Sequence, residues 1–79
     1  MVDETSAGPA KRIVAIARDV LQIRLDAASR QVACEYKDGV LLLQGHLSSF
    51  YEKQLAQESL RELEGVDRIV NNIEVDSTT

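Results

Sequence analysis

The dipeptide Asp38-Gly39 constrains this chain more than any other feature. Both residue types tolerate positive φ, and a two-residue turn of that kind folds the flanking segments into an antiparallel hairpin. The spacing predicts a hairpin over residues 31 to 47, with Tyr36 facing Leu41, Cys34 facing Leu43 and Val32 facing Gly45. Those six positions share one face, and alternation sends Ala33, Glu35, Lys37, Val40, Leu42, Gln44 and His46 to the other. The polar and apolar alternation of the first strand selects the same register as the turn does. A slip of one residue would reverse every side chain, so the agreement of two independent signals fixes the inner face.

Helical patterns flank the hairpin. Upstream, Ile13, Val14, Ile16, Ala17, Val20, Leu21 and Leu25 recur at helical spacing and predict a helix over 9 to 25. Pro9 suits its first turn and Gly8 its cap. Arg24 falls inside the apolar arc, so the helix ends near it or lets its stem snorkel to water. Downstream, Ser49 and Glu52 form a capping-box pattern, with Glu52 reaching back to the cap. The helix it opens runs over 50 to 64, with Leu55, Ala56, Ser59, Leu60 and Leu63 along one side and Gly65 ending it in the left-handed conformation. A last strand, Val66 to Val75, turns Ile69, Ile73 and Val75 inward. Asn71 lies on the same side and requires a hydrogen-bond partner or a bulge.

The order α-β-β-α-β, with a right-handed crossover making the second and third strands parallel, predicts an α+β two-layer sandwich. Both helices pack on one face of a three-stranded mixed sheet of order 1-2-3. Seventy-nine residues make one domain, expected over 9–76, between polar, aperiodic segments at 1–8 and 77–79 that are expected to be flexible.

Composition excludes several function classes. A single cysteine, Cys34, rules out an internal disulfide and a cysteine-based zinc cluster. The formal net charge of −4 argues against a nucleic-acid binder. No apolar run approaches the roughly 18 residues of a transmembrane span. The first residues carry acids and no apolar core, unlike a signal peptide, although a piece of a longer exported protein would read the same and the compartment stays open. Cys34 and His46 are the one nucleophile and base worth pairing, and parity puts them on opposite faces. Glu58, Glu62 and Glu64 fall on or near a solvated helix surface. No catalytic residue, metal site or cofactor is predicted, and the chain is not expected to be an enzyme.

Two surfaces remain. Residues 9–30 carry five basic side chains against two acidic ones, whereas residues 31–79 carry four against nine. Lys11, Arg12 and Arg18 on the first helix are therefore candidate contacts for an anionic phospholipid surface, at about 1 kcal/mol per cation. Lys11 and Arg12 lie in the first turn, where the helix dipole disfavours them. The uncovered face of the sheet is the second candidate. Val40, Leu42 and Val70 should cluster there, with His46 among the polar residues at the rim, as a surface for a protein partner or weak homo-association.

Two stretches then bear a likeness to a known family. Residues 38–45, Asp-Gly-Val-Leu-Leu-Leu-Gln-Gly, resemble the "G-V-V-T-L-x-G" hairpin of the BON domain, named for bacterial osmotically induced and nodulation proteins. Residues 65–75, Gly-Val-Asp-Arg-Ile-Val-Asn-Asn-Ile-Glu-Val, are similar to that family's closing "G-V-x-x-V-x-N-x-L-x-V". The resemblance implies a non-enzymatic module that binds phospholipid or another ligand in a bacterial envelope or stress-related setting. It gives Gly39, Gly45 and Gly65 roles in backbone geometry. The alternative is a structural or oligomerisation domain that makes protein–protein contacts through the open sheet face. A KH-type RNA module shares a related element order but clamps its ligand with G-x-x-G, and no two glycines here are three apart.

Overall fold

The computed structural model describes residues 3–76. Its elements are α1 (Asp3–Leu25), a 3-10 helix (Asp26–Gln31), β1 (Val32–Lys37), β2 (Val40–Leu47), α2 (Phe50–Leu60) and β3 (Arg68–Val75). The three strands form one sheet of order β1-β2-β3, antiparallel then parallel. The fold is the expected α+β sandwich. The expected tail at 77–79 lies outside the described residues.

The turn dictates the hairpin as anticipated. Asp38 and Gly39 both have positive φ, 49° and 84°. Tyr36 pairs with Leu41, Cys34 with Leu43 and Val32 with Gly45. Leu41, Leu43, Leu47, Val32 and Ile73 are buried on the inner face of the sheet against Ile13, Ala17, Leu21 and Leu25 of α1 and Ala56 and Leu60 of α2. Each fully buried leucine or isoleucine contributes about 1.5–3 kcal/mol relative to exposure.

The helices differ from expectation in ways that matter for the surface. Helical geometry breaks at Gly8 (φ 43°, ψ −162°), so the segment from Pro9 starts after a kink. Residues 3–7, within the stretch expected to be flexible, also carry helical backbone. The buried stripe of α1 is the i, i+4 row Ile13, Ala17, Leu21 and Leu25, narrower than the predicted arc. Ile16 stays 42% exposed. Arg24 reaches solvent because α1 ends one residue later, ahead of Asp26, which takes a left-handed φ of 54°.

The second helix stops at Leu60, short of the predicted 64. Beyond it the backbone bonds tighten to three-residue spacing, Leu63 N to Leu60 O and Val66 N to Leu63 O, bringing Leu63 and Val66 down onto the core. Asp67 N and Arg68 N then both donate to Gly39 O, at 2.7 and 3.1 Å, which ties the start of β3 to the hairpin turn. Gly65 has the expected positive φ, 92°, but in this connection and not at the helix end, and its carbonyl accepts the Tyr36 hydroxyl. At the other end of α2, Ser49 Oγ accepts from Glu52 N at 3.2 Å, while the Glu52 carboxylate reaches back to Ser48 N and not to Ser49.

Asn71 finds the partner that its inward position required. Its side-chain amide donates to Lys53 O (3.1 Å) and to Gln57 Oε1 (3.2 Å), fastening β3 to α2. Its carbonyl oxygen accepts from Ile73 N at 3.2 Å.

Candidate functional site

Lys11, Arg12 and Arg18 are all exposed. At 100° per residue, Lys11 and Arg18 stand on one side of α1, and Arg12 is turned about 100° away. The three therefore do not form one patch. Instead, Arg18 lines the same surface as Arg30, from the far end of the 3-10 helix. The two guanidinium side chains line a surface hollow at the α1–β1 edge, together with Gln31, Cys34, Gln44 and Gly45. No carboxylate lines it. Sequence reasoning counted Arg30 in the basic stretch without placing it at a site, because the segment that carries it has no apolar periodicity to locate it.

Gly45 sets the shape of this hollow. Its φ is +135°, and a Cβ built there would strike the carbonyl oxygen of Gln31. Only glycine lets β2 pass so close to the end of the 3-10 helix. Cys34 lies half-buried on the inner side of β1. Burial pushes its thiol above the usual range, and the Arg18 guanidinium pulls it partly back.

On the uncovered face, Leu42 lies beside Val70 in register, with Val40 two residues along β2. His46 Nε2 stands 3.6 Å from Glu74 Oε1 at the edge of this surface. Val40, Leu42 and Val70 are half-buried, less open than the sequence suggested; Val40 and Leu42 lie on the central strand with neighbours on both sides, and Val70 lies against Leu42. The most exposed large apolar side chains are Ile23 (75%), Tyr51 (73%) and Phe50 (69%), none of which was singled out.

Cys34 and His46 occupy opposite faces of the sheet, so they do not meet. Among the described residues no three histidine, cysteine or carboxylate side chains converge as metal ligands. No described helix is long and apolar enough to cross a membrane.

The fold, the hairpin glycines and the closing strand agree with one family, the BON domain, whose sequence pattern matches residues 10–77, nearly the whole chain. The chain belongs to the BON-domain family. As a BON domain it is a binding module in the general sense. Gly39, Gly45 and Gly65 of the BON motifs all have positive φ, in keeping with backbone roles. No curated protein matches the chain.

Proposed function

We propose that this BON domain is a non-catalytic module that binds anionic phospholipid surfaces through the basic flank of α1. The observation that carries the reading is the separation of charge. Residues 9–30 hold a net +3 in a chain of net −4, and of the two hollows that Arg18 and Arg30 share, the one on the β1 side has no carboxylate while the other includes Asp19 and Asp26. At about 1 kcal/mol per cation near the surface, Lys11, Arg18 and Arg30 give weak, reversible attachment that salt weakens. Arg12, on another side of the helix, adds long-range attraction more than contact. Sedimentation with vesicles tests this. Phosphatidylglycerol vesicles should bind the protein at low salt and release it as salt rises, and phosphatidylcholine vesicles should not bind. Replacing Lys11, Arg12 and Arg18 with Gln should remove binding while circular dichroism stays unchanged. Salt-independent binding, or binding indifferent to that triple change, overturns the reading.

A second reading has its own support. Leu42 and Val70 adjoin on the one face that no helix covers, and with Val40 and the His46 rim they offer a surface to a protein partner or a second copy. Burying them is worth about 25 cal/mol per Å² of apolar area, enough for weak association once the cost of docking is subtracted. NMR shifts that move with protein concentration at residues 33, 35, 40, 42 and 44, and vanish in Val40→Lys with Leu42→Lys, would support it. Shifts confined to the helices would exclude it.

A further inference from the structure

Arg18 and Arg30 converge from two different elements on one hollow of about 380 Å³, and neither joins an ion pair among the described residues. The same two arginines also line the adjoining hollow over the bend between α1 and the 3-10 helix, where Asp19 and Asp26 stand with them, and neither acid lines the hollow on the β1 side. On the β1 side Arg18 and Arg30 are joined by Gln31, Gln44 and Gly45 and by the less polar Val32, Ala33 and Cys34. We propose that Arg18 and Arg30 form a discrete phosphate site that takes a phosphomonoester dianion, a proposal whose lipid arm rests on the membrane reading above.

The charge count selects the ligand. A phosphomonoester carries between one and a half and two negative charges at neutral pH, about the charge of two guanidinium groups. A phosphodiester carries one. Guanidinium also presents paired donors that fit phosphate oxygens two at a time, a fit that a lysine ammonium cannot reproduce. Gln31, at the end of the 3-10 helix, brings a neutral amide to the same hollow. With no Cβ at Gly45, the phosphate can approach the backbone where β2 passes the 3-10 helix. The hollow is larger than a phosphate group alone and open to solvent, so the terminal phosphate of a glycerol- or sugar-sized molecule fits. So does the exposed headgroup of a phosphatidate-type lipid.

The test compares free and membrane-bound phosphate on the whole chain. In ¹⁵N NMR titrations, inorganic phosphate and glycerol 3-phosphate should shift amides at residues 30–34 and 44–45. Arg30→Gln should weaken that binding about tenfold, the loss expected for one charge-assisted contact. Arg30→Lys, which keeps the charge and loses the fork, should recover only part of it. Lys37→Gln, an exposed cation at the hairpin-turn end of β1, should leave it unchanged. Vesicles of phosphatidic acid should bind more tightly than phosphatidylglycerol vesicles of equal surface charge, and Arg30→Gln should erase the difference. If phosphate shifts these amides but no vesicle binds, the site stands for soluble phosphomonoesters and the membrane reading fails. If phosphatidylglycerol and phosphatidic acid bind alike and Arg30→Gln changes neither, the phosphate site is overturned while the membrane reading survives. Absence of any response to free phosphate, with no preference among lipids, likewise overturns the site.

Discussion

Gly45 and Cys34 show how single positions govern the α1–β1 edge. At Gly45 a Cβ would collide with Gln31 O, stand 2.9 Å from its carbonyl carbon and 3.0 Å from Val32 Cα, all of them backbone atoms that cannot swing aside. Gly45→Ala should therefore cost about 2–4 kcal/mol in urea titration, from positive-φ strain and displacement of the 3-10 helix together. A cost below about 1 kcal/mol would mean that the helix end shifts freely. The thiol of Cys34 responds to pH. Burial raises its pKa in the folded state, so the folded protein holds this proton where the unfolded chain has lost it. Its contribution to stability is complete below the ordinary thiol value of about 8.5 and declines as pH rises from there through the folded-state value. Thiol modification by a disulfide reagent should thus begin at higher pH than for a free cysteine. Arg18→Gln should move the onset higher still, because it removes the one nearby charge that favours the thiolate; an onset at lower pH would contradict the assignment.

The elements divide by how local their determinants are. Within β2, Leu43 is fully buried and Leu42 is half-exposed on the opposite face. Leu43→Ala should cost about 2–5 kcal/mol through lost transfer energy and the cavity left behind, and Leu42→Ala clearly less. Equal losses would indicate a hairpin shifted by one residue. That hairpin was legible in the sequence because the Asp38-Gly39 turn and the strand alternation are short-range and redundant. The parallel pairing of β2 with β3 followed from the helix between them. The 3-10 helix was not legible. Asp26–Gln31 has no apolar periodicity, and its close fit depends on Gly45, far along the chain; Arg30 on it counted toward the basic stretch but was not placed at a site. The end of α2 was misplaced for a similar reason, since the carbonyl of Gly39 draws Asp67 and Arg68 into β3 from a distance. The burial of Ile16 was misjudged because spacing marks a helical stripe without giving its width, which depends on how closely α2 and the sheet approach. Of the candidate site, the basic helix was visible as composition, but the surface that Arg18 shares with Arg30 is a product of tertiary packing.

Across the whole molecule, stability concentrates in the middle strand. β2 pairs with β3 along its whole length and with β1 from Val40 to Gly45, whereas β1 and β3 each have one neighbour. Amides of Leu41 and Leu43 should exchange only through global unfolding, with the same free energy that urea titration gives; faster exchange there would show that the sheet opens piecemeal. The outer strands differ from one another. Ile73 N is spent on the side chain of Asn71 two residues earlier, which takes one donor out of β3. An occupied donor on an edge strand makes that rim a poorer template for a further strand. The asparagine that fastens β3 to its helix thus also takes a backbone donor away from that strand.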